Sequence, residues 1–148
     1  MGILFIFSVI CIKGILWAGD DLMTDFDLES FRWKNRLVLL FDASLGTNNF
    51  VSQMALLEGE ETGMADRDLI LITLPERGAS RLGQSFISED AASKLRQKFQ
   101  VETGRFLLIL LGKDGTVKLR ASEPVSASRL FALIDSMPMR REEMRRKK

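Results

Sequence analysis

The chain carries uninterrupted apolar stretches at Leu37-Val38-Leu39-Leu40-Phe41, Leu69-Ile70-Leu71-Ile72-Thr73-Leu74 and Phe106-Leu107-Leu108-Ile109-Leu110-Leu111. Each has the length of a strand and none alternates with polar residues, which predicts strands covered on both faces. Pro75 is expected to stop the second of them. A further stretch, Thr116-Val117-Lys118-Leu119-Arg120, alternates, as a strand with one solvated face does. Gly112-Lys113-Asp114-Gly115 lies just before it. Asp-Gly between strand-like runs predicts a hairpin, because glycine accepts positive φ without steric cost.

Helical spacing fills the gaps. Phe50, Met54 and Leu57 recur at helical intervals behind Thr47 or Asn48, either of which can cap. Ala92, Leu95 and Phe99 follow Ser88, with Glu89 and Asp90 near the positive end of the helix dipole. Leu130, Phe131, Leu133 and Ile134 follow Ser126 or Ser128, and Pro138 is expected to end that helix. Residues 76–87 read as a loop. The resulting order is β-α-β-α-β-β-α. Its first crossover calls for parallel strands with a right-handed connection. The fold class is therefore α/β, with a mixed four-stranded sheet between helices.

Ile3 to Ile12 is also apolar, but about ten residues fall short of the roughly twenty that span a bilayer. With Ala18 and Gly19 after it, the segment fits a signal peptide over residues 1–19, cleaved near Gly19. The expected destination is the periplasm or the exterior. Residues 20–35 form a lead-in, 36–139 the folded domain and 140–148 a basic C-terminal tail that frays from the fold.

Composition narrows the chemistry. The 148 residues include no histidine, no tyrosine and one cysteine, at position 11. That removes the commonest general base and transition-metal ligand. It also rules out an internal disulfide or a CxxC couple. Residues 20–139 hold 14 basic and 18 acidic side chains, whereas 140–148 hold six basic and two acidic. The formal net charge of +1 thus conceals an acidic body with a basic end.

The element order resembles that of thioredoxin, most closely from Phe99 to Leu119 and from Leu37 to Asn49. In that register Leu45-Gly46-Thr47-Asn48 stands where thioredoxins carry CxxC, and Thr103-Gly104-Arg105-Phe106 lacks their cis-proline. More specific phrases are Trp33-Lys34-Asn35-Arg36, Ala65-Asp66-Arg67-Asp68-Leu69, Gly112-Lys113-Asp114-Gly115 with Val117-Lys118-Leu119-Arg120, and Phe131 through Arg141 with its Met137-Pro138-Met139-Arg140. Together, over about residues 28–144, they resemble the thioredoxin-like domain called P-DUDES. That family occurs in bacterial exported proteins and as modules of vertebrate sushi-repeat-containing matrix proteins. The resemblance implies the fold and an extracytoplasmic location, and it supplies no catalytic residues.

The candidate contact residues are Asp42, Ser44, Leu45, Thr47, Asn48 and Arg105. The loop from Asp42 leaves a strand end and enters a helix, where open α/β sheets place ligands. Free backbone N–H groups there attract anions, and Arg105, facing it in the thioredoxin register, can hold a carboxylate or phosphate. Turn and cap chemistry alone also accounts for these residue types. Ser44 lacks a base to make it a nucleophile. No Asp-x-Asp-x-Asp-Gly loop offers calcium its oxygens, so neither metal nor cofactor is expected. The tail has no aromatic residue for base stacking, which argues against nucleic acid. Its basic residues are the feature suited to a membrane surface. The expected function is an exported, redox-inactive module that contacts a protein or a small anionic ligand. The alternatives are a non-redox enzyme using the helix N-terminus as an anion site, and a membrane-associated adaptor.

Overall fold

The computed structural model describes residues 26–147 together with the backbone of Met23 and Thr24. The expected signal peptide, Cys11 included, lies outside the described residues. The elements are β1 Met23–Thr24, β2 Arg36–Ser44, α1 Asn48–Leu57, α2 Glu61–Asp66, β3 Leu69–Arg77, β4 Ser80–Leu82, β5 Ser85–Ile87, α3 Glu89–Lys98, β6 Leu107–Leu111, β7 Val117–Ala121, α4 Ala127–Asp135 and α5 Pro138–Arg146, with a 3-10 turn at Leu28–Phe31.

The sheet has seven strands in the order β1-β5-β4-β3-β2-β6-β7. Its centre is the expected set. β2 and β3 are parallel, with Leu39 opposite Ile72, and β2 and β6 are antiparallel, with Leu39 opposite Ile109. β7 returns beside β6 through the Asp114-Gly115 turn, where Gly115 takes φ 78°. The Asp114 carboxylate closes the turn by accepting from the Thr116 amide at 3.0 Å.

The continuous apolar strands are explained by cover on both faces. Leu37, Leu39, Phe41, Ile72, Leu74 and Ile109 face Ala92, Leu95 and Phe99 of α3 and its C-cap. Val38, Leu40, Leu108 and Leu110 face Phe50 and Leu57 of α1 and Leu130 and Ile134 of α4. Thr47, Ser88 and Ser126 are the caps, each accepting from a first-turn amide. Gln53, fully buried, pairs its amide with the backbone of Val125 at 2.9 and 2.7 Å. This fixes the segment leading into α4 against α1 without leaving a buried polar group unsatisfied.

Several expectations are corrected. The sheet has three strands beyond the expected four, because residues 80–87 fold back as β4 and β5 rather than lying as a loop, and β1, from the expected lead-in, pairs with β5. β3 runs through Pro75 to Arg77. Pro75 lies past the last β4 pairs, Ile72 with Leu82 and Thr73 with Arg81, so its missing N–H breaks no rung on that side. α2 is an added short helix. Its Gly63 is required by packing, since a Cβ there would stand 2.6 Å from the Phe131 ring. α4 ends at Asp135, just ahead of Pro138 as expected, but Pro138 also starts a further helix. It occupies the first turn of α5, where a missing N–H costs nothing and the fixed φ is already helical. The residues assigned to a frayed tail are therefore mostly helix.

Candidate functional site

The carboxyl end of β2 opens into a cleft of about 570 Å³. Asp42, Thr47, Asn48 and Asn49 form one wall, and Gln100, Glu102, Gly104, Arg105 and Phe106 form the other, with Arg120 and Ser122 completing it. Asp42 is 3% exposed. Its carboxylate accepts from the Ala43 amide at 2.7 Å and from the Thr47 hydroxyl. The Thr47 oxygen in turn accepts from the Phe50 amide at 3.2 Å. This chain fixes the strand-to-helix turn, so Asp42 and Thr47 act first as architecture.

The opposite wall is held separately. Gln100 takes φ 52° and Gly104 φ 74°. The Gly104 amide donates to the Glu76 carboxylate at 2.6 Å, and Arg120 donates to the Phe99 carbonyl at 2.9 Å. Arg105 and Glu102 meet at 3.7 Å with most of both side chains in solvent. Such a pair contributes little to stability, which leaves Arg105 available for contact. No cis peptide bond occurs among the described residues.

Of the residues expected here, Asp42, Thr47, Asn48 and Arg105 line the cleft, and Ser44 and Leu45 do not. Ser44 is still in β2, in register with Arg77 of β3. Leu45 lies over Gly78, within 3.6 Å of where a Cβ would stand. The thioredoxin register places Leu45 at the first position of the CxxC and Ser44 just before it. Here the turn carries them toward the β3 side. Gln100, Glu102 and Ser122 were not anticipated, because they come from turns with no signature beyond polarity.

The amino end of β2 holds a second assembly. Arg36 is 1% exposed. It grips the Glu143 carboxylate through both terminal nitrogens at 3.2 Å and donates to the Arg67 carbonyl at 2.8 Å. Lys113 bridges Glu143 at 2.7 Å and Asp68 at 2.8 Å. Arg67 forks onto Asp135 at 3.1 and 2.6 Å and stacks 4.3 Å from the Phe131 ring centre. Arg140, 2% exposed, pairs with Asp135 and Asp66, and Lys147 reaches Asp66 at 2.8 Å. The four phrases that carried the family resemblance thus converge on one cluster.

The cluster shifts its own acids. The Lys147 and Arg140 hydrogen bonds hold Asp66 down at about 2. Burial pushes Glu143 up, but hydrogen bonds from Lys113 and Arg36 outweigh it and hold the carboxyl below its ordinary value. Burial likewise pushes Asp135 up, and hydrogen bonds from Arg67 and Arg140 outweigh it and hold the carboxyl below its ordinary value. Among the described residues no group of His, Cys, Asp or Glu is placed to hold a metal, and no helix is long and apolar enough to cross a membrane.

Residues 27–143 match the family described as "Domain of unknown function (DUF4174)". The chain belongs to this family. Among its relatives, it is 29% identical over 133 residues to "Coiled-coil domain-containing protein 80" of Danio rerio, covering 79% of this chain and 15% of that protein. It is 25% identical over 123 residues to "Sushi repeat-containing protein SRPX2" of Mus musculus, covering 81% of this chain and 26% of that protein. The DUF4174 chain thus spans about a quarter or less of the relatives' length. A reduced 2-Cys peroxiredoxin of Plasmodium vivax aligns with a TM-score of 0.60 at 13% identity, over 79% of this chain and 72% of that one. Thioredoxin peroxidase I of Plasmodium yoelii aligns at 0.54 and 15%, over 78% and 79%. These likenesses establish the fold as thioredoxin-like.

Proposed function

We propose that this DUF4174 chain is an exported, redox-inactive thioredoxin-like module that makes protein or ligand contact through the cleft at the carboxyl end of β2. The observation that carries the reading is a substitution of chemistry within a kept frame. The loop at the CxxC position reads Leu45-Gly46-Thr47-Asn48, and the chain's single cysteine is Cys11. A thiol–disulfide exchange needs an attacking thiolate, and the cleft offers carboxylate, amide, hydroxyl and guanidinium groups instead. The apolar segment Ile3 to Ile12 supports export, as does the resemblance to exported proteins.

The test compares the wild-type chain with Asn48→Asp, Arg105→Glu and with Leu45→Asp in capture from periplasmic extract and in an insulin-reduction assay. The reading expects no turnover from any of them. It further expects a specific partner that the cleft variant loses and Leu45→Asp keeps. Turnover by the processed protein, or a partner lost only with Leu45→Asp, contradicts it.

A further inference from the structure

α1 covers only part of the sheet face on which it lies. Gln53 turns one flank of the helix toward Val125. Val51, Met54 and Glu58 recur at helical spacing on the flank turned away from it. All three are exposed, Val51 at 56%. Leu45 extends this flank, lying exposed over Gly78. Beside it the sheet continues uncapped. Leu71 packs with the α1 side of the core, and by alternation Thr73 shares its face. Thr73 pairs with Arg81 and Arg81 with Phe86, so these too lie on that face. Phe86 is half-buried, and its cover is the Arg81 guanidinium, 4.4 Å from the ring centre. Exposed hydrophobes are ordinary when scattered, but Leu45, Val51 and Met54 together form a patch, and patches mark contact surfaces.

The charges around the patch say what covers it. α1 has no charged side chain from Asn48 to Leu57. Glu58 stands at its carboxyl end. Arg77 stands at its amino end, in register with Ser44 and, by alternation, on the face of Leu71. Both side chains are exposed, and among the described residues neither meets an opposite charge. A partner of one sign would leave either Glu58 or Arg77 unmatched. An identical chain turned end for end matches both. We propose that this flank is a two-fold interface at which a second copy of the chain docks, with the two α1 helices antiparallel. The two-fold brings Val51 and Met54 against their counterparts and sets Glu58 of each copy beside Arg77 of the partner subunit. The uncharged stretch between them meets itself without like-charge repulsion. Ten residues of helix span about 15 Å, a short contact, so the dimer is weak and depends on concentration. The cleft lies toward β6, on the other side of α1, and the interface does not depend on the reading given for it.

The test is sedimentation equilibrium of the full chain at rising concentration. The proposal expects a reversible monomer–dimer equilibrium. Val51→Asp, which buries a charge between the helices, should weaken it at least about ten-fold. Glu58→Arg and Arg77→Glu, made singly, should each weaken it about ten-fold, because each turns two attractions into two repulsions. The two reversals combined in one chain should restore the affinity to within about two-fold, since the swap exchanges the ends of the flank and leaves every contact attractive. Restoration of this kind cannot come from misfolding, nor from association through the apolar segment Ile3 to Ile12. A monomer at every concentration up to about 1 mM, affinity unchanged in either single reversal, or a double variant as weak as the singles would each overturn the assignment.

Discussion

At its carboxyl end, β2 opens into a cleft whose Arg105 and Glu102 side chains are 76% and 81% exposed and meet at 3.7 Å. At its amino end, about 20 Å away at 3.3 Å per residue, Arg36 is 1% exposed and gripped on both terminal nitrogens by Glu143. Both ends carry opposite charges, yet the charges do different work. In the cleft they stand in water, where a pair is worth little and is free to meet something else. In the cluster Arg36 and Arg140 are withdrawn from water, so losing a carboxylate partner strands them. The lesson is that charge alone does not mark a contact site here. What separates the two regions is whether the charge has already found its partner within the chain.

The seat of α5 depends on this difference. Its buried residue is Arg140, not a hydrophobe. The helix is therefore held by the polar groups of Arg140, Glu143 and Lys147, in contrast with α4, which buries Leu130 and Ile134. A helix seated in this way responds sharply to loss of a single partner.

Breaking the cluster should give the largest effect. Glu143→Ala leaves Arg36 buried and uncompensated and should cost about 3 kcal/mol in denaturant unfolding, the lower range for breaking a buried pair. An Arg36→Met, Glu143→Leu double variant removes both charges and should recover most of that loss. Acid acts on the same region more gradually. Asp66 is held at about 2 against an ordinary 3.8, and Glu143 below an ordinary 4.5. For acids whose folded value is depressed, the stabilisation is present above the ordinary value and lost as pH falls through the folded one. Unfolding midpoints should therefore fall from about pH 4.5 toward pH 2, and less steeply in Glu143→Ala. Asp66 is 45% exposed, so solvent screening reduces its share.

In the cleft the effects should be smaller. Thr47→Ala removes the cap of α1 and the hydroxyl that Asp42 accepts from, and should cost about 1 kcal/mol. Arg105→Ala should change stability by no more than about 0.5 kcal/mol, while abolishing whatever contact the cleft makes. An Arg105 variant as destabilised as Glu143→Ala would erase the distinction between the two ends.

Much of this was legible in the sequence. The runs at Leu37, Leu69 and Phe106 announced buried strands because cover on both faces leaves no polar alternation to read. Thr47, Ser88 and Ser126 announced helix starts because caps depend on local chemistry. Pro138 marked the end of α4 but not the start of α5, since proline is equally suited to halting one helix and beginning another, and only the seat available to α5 decides. β4 and β5 were hidden for a related reason. Three-residue strands are too short to show a period, and they persist by adding to an existing sheet. In the cleft, Asp42, Thr47 and Asn48 were legible because a strand end entering a helix is a local pattern, and Arg105 because the thioredoxin register sets it opposite that turn. Ser44 and Leu45 were misplaced because neighbours along a turn point to different sides. The cluster was present only as phrases of the family resemblance. Its pairing of Arg36 with Glu143 spans 107 positions, and no local pattern encodes that.

The contrast between the two ends is tested most directly by amide hydrogen exchange of Arg141 to Met144 in the full chain. A seated α5 predicts strong protection there, lost in Glu143→Ala while the β2–β6 amides stay protected. Exchange of these amides at the rate of an unstructured terminus in the wild-type protein would contradict it.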